Sequence, residues 1–67
     1  MAKVTLAGAR VSKNWTQKEL AARMGVSRET VIKWETGQRE MRTPYVYLFC
    51  ELTGFSYDDL LLPTKST

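Results

Sequence analysis

The stretch "ARMGVSRET", Ala22 to Thr30, constrains this chain more than any other. A helical pattern runs into Gly25 and stops, and a new one begins at Ser27. Gly25 supplies the positive φ that ends a helix, and Ser27 is a side chain that caps the start of one. Two helices joined by so short a turn cannot lie antiparallel; they cross steeply and their backbones come close. Ala21 is small where that approach is tightest, and Val31 and Trp34 point back into the angle. Gln17, Ala21, Gly25, Val31 and Trp34 therefore have the spacing of a helix-turn-helix, with the second helix of the pair outermost and its polar face free.

The same punctuation runs along the chain and predicts an all-α fold of five short helices with no strand. The first spans about Val4 to Lys13, with Gly8 inside it and Asn14 as its stop. "WTQKEL" opens the second with a capping box, Thr16 and Glu19, and a hydrophobic staple between Trp15 and Leu20. Ser27 caps the third, with Val26 and Val31 as staple. Thr43 caps the fourth, with Pro44 at its first helical position. Ser56 caps the fifth, with Phe55 and Leu60 as staple and Asp58 and Asp59 as negative charge in the first turn. Gly37, Gly54 and Pro63 are the remaining stops.

A chain of 67 residues holds one domain, expected over residues 1–63 with a flexible tail at 64–67. Nine Lys/Arg stand against four Glu before Thr43, and one Lys against three acids from Thr43 onward. Basic character on one part of the molecule points to a polyanion. The chain has no histidine, no Gly-rich phosphate loop and a single cysteine, Cys50, so metal, cofactor and catalytic readings find no support. Asp58 and Asp59 are adjacent, but on a helix they point about 100° apart. No apolar run is long enough for a signal peptide or a membrane span, and the expectation is a cytoplasmic protein that is not an enzyme.

"TQKELAARMGVSRETVIKWETGQRE", continued by "LFCELTGFSYDDLL", resembles the phage repressor and Cro-type helix-turn-helix family, the XRE family. Gln17, Leu20, Ala21, Gly25, Ser27, Val31, Trp34, Glu35 and Gly37 carry the resemblance, which covers about residues 4 to 62. The resemblance implies a compact five-helix bundle of the lambda repressor-like kind, bacterial or phage-encoded, that binds operator DNA as a dimer. It also implies that Gln17 reaches a phosphate and bridges to the third helix, and that Arg10 pairs with Glu35. Lys13 and Thr53 depart from the family, which often has an apolar residue at the first position and leucine at the second.

Base readout is expected from the helix over 27–36. Arg28 can fork onto the two major-groove acceptors of guanine. Glu29 can accept from a cytosine amino group or pair with Lys33 one turn on. Lys33 reaches a base acceptor or a phosphate, Ile32 a thymine methyl, and Ser27 acts as a cap first and a DNA contact second. Phosphate contacts are expected from Thr16, Gln17 and Lys18 at the start of the second helix. Gln38, Arg39, Arg42 and Thr43 are expected to do the same from the loop after the third, and Arg10 beside its ion pair with Glu35.

Trp34, Leu48, Phe49 and Leu52 read as core, and Cys50 as a buried thiol. Phe55, Tyr57 and Leu61 are candidates for a subunit interface, with Tyr45 and Tyr47 adding apolar surface. The expected function is a sequence-specific regulator, a repressor that binds a near-palindromic operator in double-stranded DNA as a homodimer. The rival is a protein-interaction module on the same fold, an antitoxin or a regulator-docking protein, gripped through the aromatic fourth helix and the "FSYDDLLL" end.

Overall fold

The computed structural model describes residues 3–62. Its order is β1 Val4–Thr5, α1 Leu6–Ser12, α2 Gln17–Met24, α3 Arg28–Thr36, α4 Thr43–Thr53, a 3-10 turn Tyr57–Asp59 and β2 Leu60–Leu61. The all-α class holds, but the described residues contain four α-helices rather than five. The tail expected at 64–67 and the stop at Pro63 lie outside the described residues.

The fifth helix is corrected to a single 3-10 turn followed by a strand. Asp59 accepts from both the Ser56 N–H, at 3.2 Å, and the Ser56 hydroxyl, at 2.9 Å. That closes one turn, and beyond it a proline at 63 biases the preceding residue toward extended backbone. Leu60 is turned into the core and Leu61 away from it, the alternation of a strand. β2 pairs in parallel with β1, Val4 opposite Leu60 and Thr5 opposite Leu61. The two ends of the domain are thereby tied to each other.

The ladder shortens the first helix as well. Thr5 is its N-cap, and its hydroxyl accepts the Gly8 N–H at 2.9 Å. A Cβ on Gly8 would stand 3.1 Å from that hydroxyl oxygen, so the glycine inside the helix makes room for the cap. Asn14 ends α1 in the left-handed region, φ 63°, as its short polar side chain allows.

α2 opens on the expected capping box. The Glu19 N–H donates to Thr16 Oγ1 at 3.0 Å, and the Thr16 N–H to Glu19 Oε1 at 2.8 Å. It closes at Gly25, φ 71°, where the Val26 N–H reaches the Ala21 carbonyl and the Gly25 N–H the Ala22 carbonyl. No atom lies within 4 Å of a Cβ built on Gly25, so the backbone angle and not space demands the glycine. For α4 the cap is Arg42 rather than Thr43. The Arg42 carbonyl accepts the N–H groups of Tyr45 and Val46, and its side chain makes no capping bond. Thr43 thus falls inside the helix and Pro44 follows it in the first turn, where a missing N–H is harmless.

The core gathers Leu6 and Ala9 of α1, Leu20, Ala21 and Met24 of α2, Val31 and Trp34 of α3, Met41, Val46 and Phe49 around α4, and Leu60 of β2. Phe49, Leu20 and Val31 are fully buried. Leu48 and Leu52 are half-buried against this core. Thr53, where the family often has leucine, is buried with its hydroxyl donating to the Phe49 carbonyl at 2.8 Å. It also accepts the Phe55 N–H at 3.4 Å, so the polar atom is satisfied.

Replacing Gly25 by Ala forces a Cβ into the left-handed region and is expected to destabilise the fold by about 1–2 kcal/mol. Thermal unfolding should then shift down by roughly 4–8 °C per kcal/mol. Gly25→Asn should lose less, and an unchanged midpoint for Gly25→Ala would contradict this account of the turn.

Candidate nucleic-acid interface

α3 is held by its inner face and leaves the rest outside. Val31 and Trp34 are buried, while Ser27, Arg28 and Glu29 are exposed. Ser27 Oγ accepts the Thr30 N–H at 3.2 Å and lies 3.0 Å from the Thr30 hydroxyl, so the cap is made as expected. Ile32 and Lys33 are half-buried, less open than a free outer face requires. Among the described residues Arg10–Glu35 is the one ion pair, so Glu29 and Lys33 are not paired with each other.

That ion pair is the anchor of the site. Arg10 Nε donates to Glu35 Oε2 at 2.7 Å and Nη2 to Oε1 at 3.3 Å, while Nη1 donates to the Trp15 carbonyl at 2.8 Å. The side chains are only 14% and 8% exposed, which places the pair mostly out of water. The fork of the guanidinium matches the carboxylate at two points, the geometry in which such pairs are strongest. It locks the end of α1 onto α3 and the Asn14–Trp15 turn onto both. Arg10 keeps only its remaining N–H groups for any anion outside.

Gln17 joins this anchor and bridges to α3, as the resemblance implies, with Glu35 as the partner that the sequence left unnamed. Its Nε2 donates to Glu35 Oε1 at 3.1 Å. An ionised carboxylate can only accept, so the amide must turn its nitrogen to Glu35 and its oxygen the other way. On that side Arg28 Nη2 stands 3.5 Å from Gln17 Oε1, at the limit of a hydrogen bond. Arg10, Glu35, Gln17 and Arg28 thus form one line from the core to the first turn of α3. No spacing rule could reveal it, because Gln17 and Glu35 meet only through the crossing of α2 and α3.

The expected phosphate residues precede and follow α3 along the chain. At the start of α2 the Thr16 N–H donates to Glu19, while the Thr16 hydroxyl oxygen accepts from the Glu19 N–H and keeps its own proton to donate to an anion. The backbone N–H groups of Gln17 and Lys18, at the first two helical positions, have no partner among the described residues. Lys18 is exposed. Behind α3, Gln38, Arg39, Arg42 and Thr43 are exposed in the connection to α4. Gly37, φ 80°, turns the chain, and the Arg39 N–H donates to the Lys33 carbonyl at 3.2 Å, tying the loop to the helix end. Arg39 and Arg42 border a hollow of about 130 Å³ that Val26, Thr30, Trp34, Tyr45 and the acidic Glu40 also line. The Tyr45 ring leans on Trp34, centroids 5.2 Å apart. Arg23, not singled out in the sequence, lies with its guanidinium 4.4 Å over the Trp15 ring and is engaged there.

Elsewhere, Phe55 is half-buried and packs on the core, whereas Tyr57 and Leu61 are more than half exposed. Cys50 is half-buried rather than fully enclosed. Burial, and after it the charge of Asp59, pushes its thiol above the ordinary range, away from reactivity. No group of side chains among the described residues could hold a metal ion. No helix among them is long and apolar enough to cross a membrane.

Removing Glu35 strands the Arg10 guanidinium in a mostly buried place. Glu35→Ala is expected to destabilise the fold by about 3 kcal/mol, and the double variant Arg10→Met, Glu35→Leu by clearly less, because it leaves no unpaired charge. Urea unfolding measures both. Equal losses for the single and double variants would contradict the reading of the pair as a mutual neutraliser.

A family model, helix-turn-helix, matches residues 6–60 of the chain. No curated protein and no solved structure gave a match. With α2, the turn at Gly25 and an outward α3 all inside the matched span, the chain belongs to the helix-turn-helix family, of the XRE type, whose members are DNA-binding regulators.

Proposed function

We propose that the protein is a sequence-specific DNA-binding repressor that reads an operator with the first turn of α3. The carrying observation is that Ser27, Arg28 and Glu29 stand exposed at the start of α3, with Arg28 Nη2 3.5 Å from Gln17 Oε1 and with Arg39 and Arg42 exposed in the connection that follows the helix. α3 enters the major groove, and the unpartnered N–H groups of Gln17 and Lys18 take a phosphate on one side of it. Arg39, Arg42, Gln38 and Thr43 take phosphates on the other. Arg10 contributes less than its position in the sequence implies, since its guanidinium already donates to Glu35 and the Trp15 carbonyl, whereas the Thr16 hydroxyl keeps its proton for a phosphate.

Readout then follows from chemistry. Arg28 offers parallel donors to guanine O6 and N7. Glu29, unpaired, is free to accept from a cytosine amino group. Ser27 lies beside them, Lys33 reaches an acceptor or a phosphate, and the exposed part of Ile32 meets a thymine methyl. Holding Arg28 in advance lowers the rotamer entropy lost on binding.

One short helix contacts few base pairs, so specificity calls for two. A homodimer with twofold symmetry would set its two α3 helices roughly 34 Å apart, in successive major grooves of a near-palindromic site. Tyr57 and Leu61, exposed and apolar, support a face for the second copy, with Tyr47 as further apolar surface. Phe55 supports that face from beneath. The protein acts in the cytoplasm, on the nucleoid of a bacterium, and represses by occupying the site. A protein-docking role would use the same apolar face and would not require α3.

Arg28→Ala and Arg39→Ala should separate base readout from phosphate contact. Arg28→Ala is expected to weaken binding to the preferred site by about 1–3 kcal/mol and to relax preference at one base pair. Arg39→Ala should weaken all duplexes alike and reduce the salt slope by about one. Fluorescence anisotropy at several salt concentrations checks both. Equal, sequence-blind losses for the two variants would overturn the assignment of Arg28.

A further inference from the structure

Arg28, Glu29 and Ile32 form one cluster on α3. Residues three and four apart on a helix are neighbours, about 5–6 Å between Cβ atoms, which puts Ile32 beside both of the others. Viewed down the helix axis, Ile32 stands about 40° from Arg28 and about 60° from Glu29, between the two. Arg28 and Glu29 are exposed, and among the described residues Glu29 has no ion pair. Arg28 Nη2 already leans on Gln17 Oε1, at 3.5 Å. Ile32 is half-buried, yet it is not among the half-buried hydrophobic side chains that pack on the core. Val31 and Trp34 fill the inner face of α3, so the open part of Ile32 belongs to the outer one. An apolar side chain thus lies between a carboxylate and a guanidinium on the helix face left free.

We propose that this cluster reads a 5-methylcytosine next to a guanine, so that the bound DNA is a site of cytosine methylation. This rests on the reading of α3 proposed above, and it replaces the thymine methyl at Ile32 with the methyl of a modified cytosine. Arg28 takes the guanine O6 and N7. Glu29 takes the cytosine amino group on C4, since an ionised carboxylate only accepts. Ile32, between them, meets the neighbouring ring carbon, C5, where cytosine carries a hydrogen and 5-methylcytosine a methyl group. A thymine there would offer the same methyl to Ile32, but its O4 acceptor would face the Glu29 carboxylate. An unmethylated cytosine would satisfy Glu29 and leave the apolar side chain against a bare edge. Of the three pyrimidines, the methylated cytosine alone carries both the donor and the methyl group.

The test is selection by the full chain from two random duplex pools, one made with cytosine and one with 5-methylcytosine in its place. Arg28→Ala identifies the guanine in the enriched site. The pyrimidine beside it is then set to cytosine, 5-methylcytosine or thymine, each with its proper partner, and the three duplexes are titrated by fluorescence anisotropy. The methylated duplex should bind about fourfold more tightly than the cytosine one, the worth of one buried methyl group. It should bind at least about tenfold more tightly than the thymine one, which loses a bond to a charged group. Ile32→Ala should remove the preference for the methyl group. Glu29→Gln, whose amide can also donate, should remove the discrimination against thymine. Equal binding of the cytosine and methylcytosine duplexes would overturn the proposal while leaving α3 as the reading helix. So would a preference for thymine, or a methyl preference that survives Ile32→Ala. No enrichment from either pool would overturn the DNA-binding reading itself, and the methylcytosine assignment with it.

Discussion

The ion pair between Arg10 and Glu35 is the constraint on which the rest of the structure depends. It joins α1 to α3 at a point that α2 also touches, and it does so mostly out of water. A buried pair of this kind adds little to stability beyond what an apolar pair of the same shape would give. What it adds is direction. A carboxylate with its two oxygens committed to Arg10 and Gln17 allows one crossing of the helices, and a sliding of α3 by a turn would break every bond to it. The helix that faces outward is thus set by a polar contact facing inward.

Around that anchor the fold is assembled from helix ends. Each helix is short, and a short helix has little intrinsic stability of its own. Thr5, Thr16 and Ser27 each accept an N–H at a helix start, and Asn14, Gly25, Gly37 and Gly54 each turn left-handed at a helix end. The sharp break at Gly25 is the one with functional weight. It lets α2 and α3 meet over Ala21 and Val31, and it leaves Ser27, Arg28 and Glu29 exposed at the start of α3. The first turn is also where the line from Arg10 through Glu35 and Gln17 arrives, so the most exposed guanidinium of the helix is coupled to its most buried charge.

Much of this was legible in the chain. The caps at Thr16 and Ser27, the stops at Gly25, Gly37 and Gly54, and the left-handed Asn14 follow from local chemistry, and local chemistry survives folding. The pairing of Arg10 with Glu35 came from resemblance and is present in the structure. The end of the chain was not legible. "FSYDDLL" has a cap and acids in its first turn, as a helix should, yet its leucines find β1 and become a strand. That partner lies at the far end of the sequence, beyond the reach of any window. Thr43 yielded the cap to Arg42 because the Arg42 carbonyl alone collects two N–H groups, and no side chain was needed. Gly8 seemed a flaw in α1 until the Thr5 hydroxyl took its place beside it. The bond from Gln17 to Glu35 depends on the angle between two helices, which spacing along one chain does not encode.

The central claim is that the first turn of α3 reads base pairs. The most direct measurement is selection of bound sequences from a random duplex pool by the full chain, followed by titration of the enriched site. The account predicts a near-palindrome of two half-sites about one helical turn apart, each containing a guanine whose replacement matters less in the Arg28→Ala variant. A pool that shows no enrichment, with only weak binding that vanishes with salt, would contradict it.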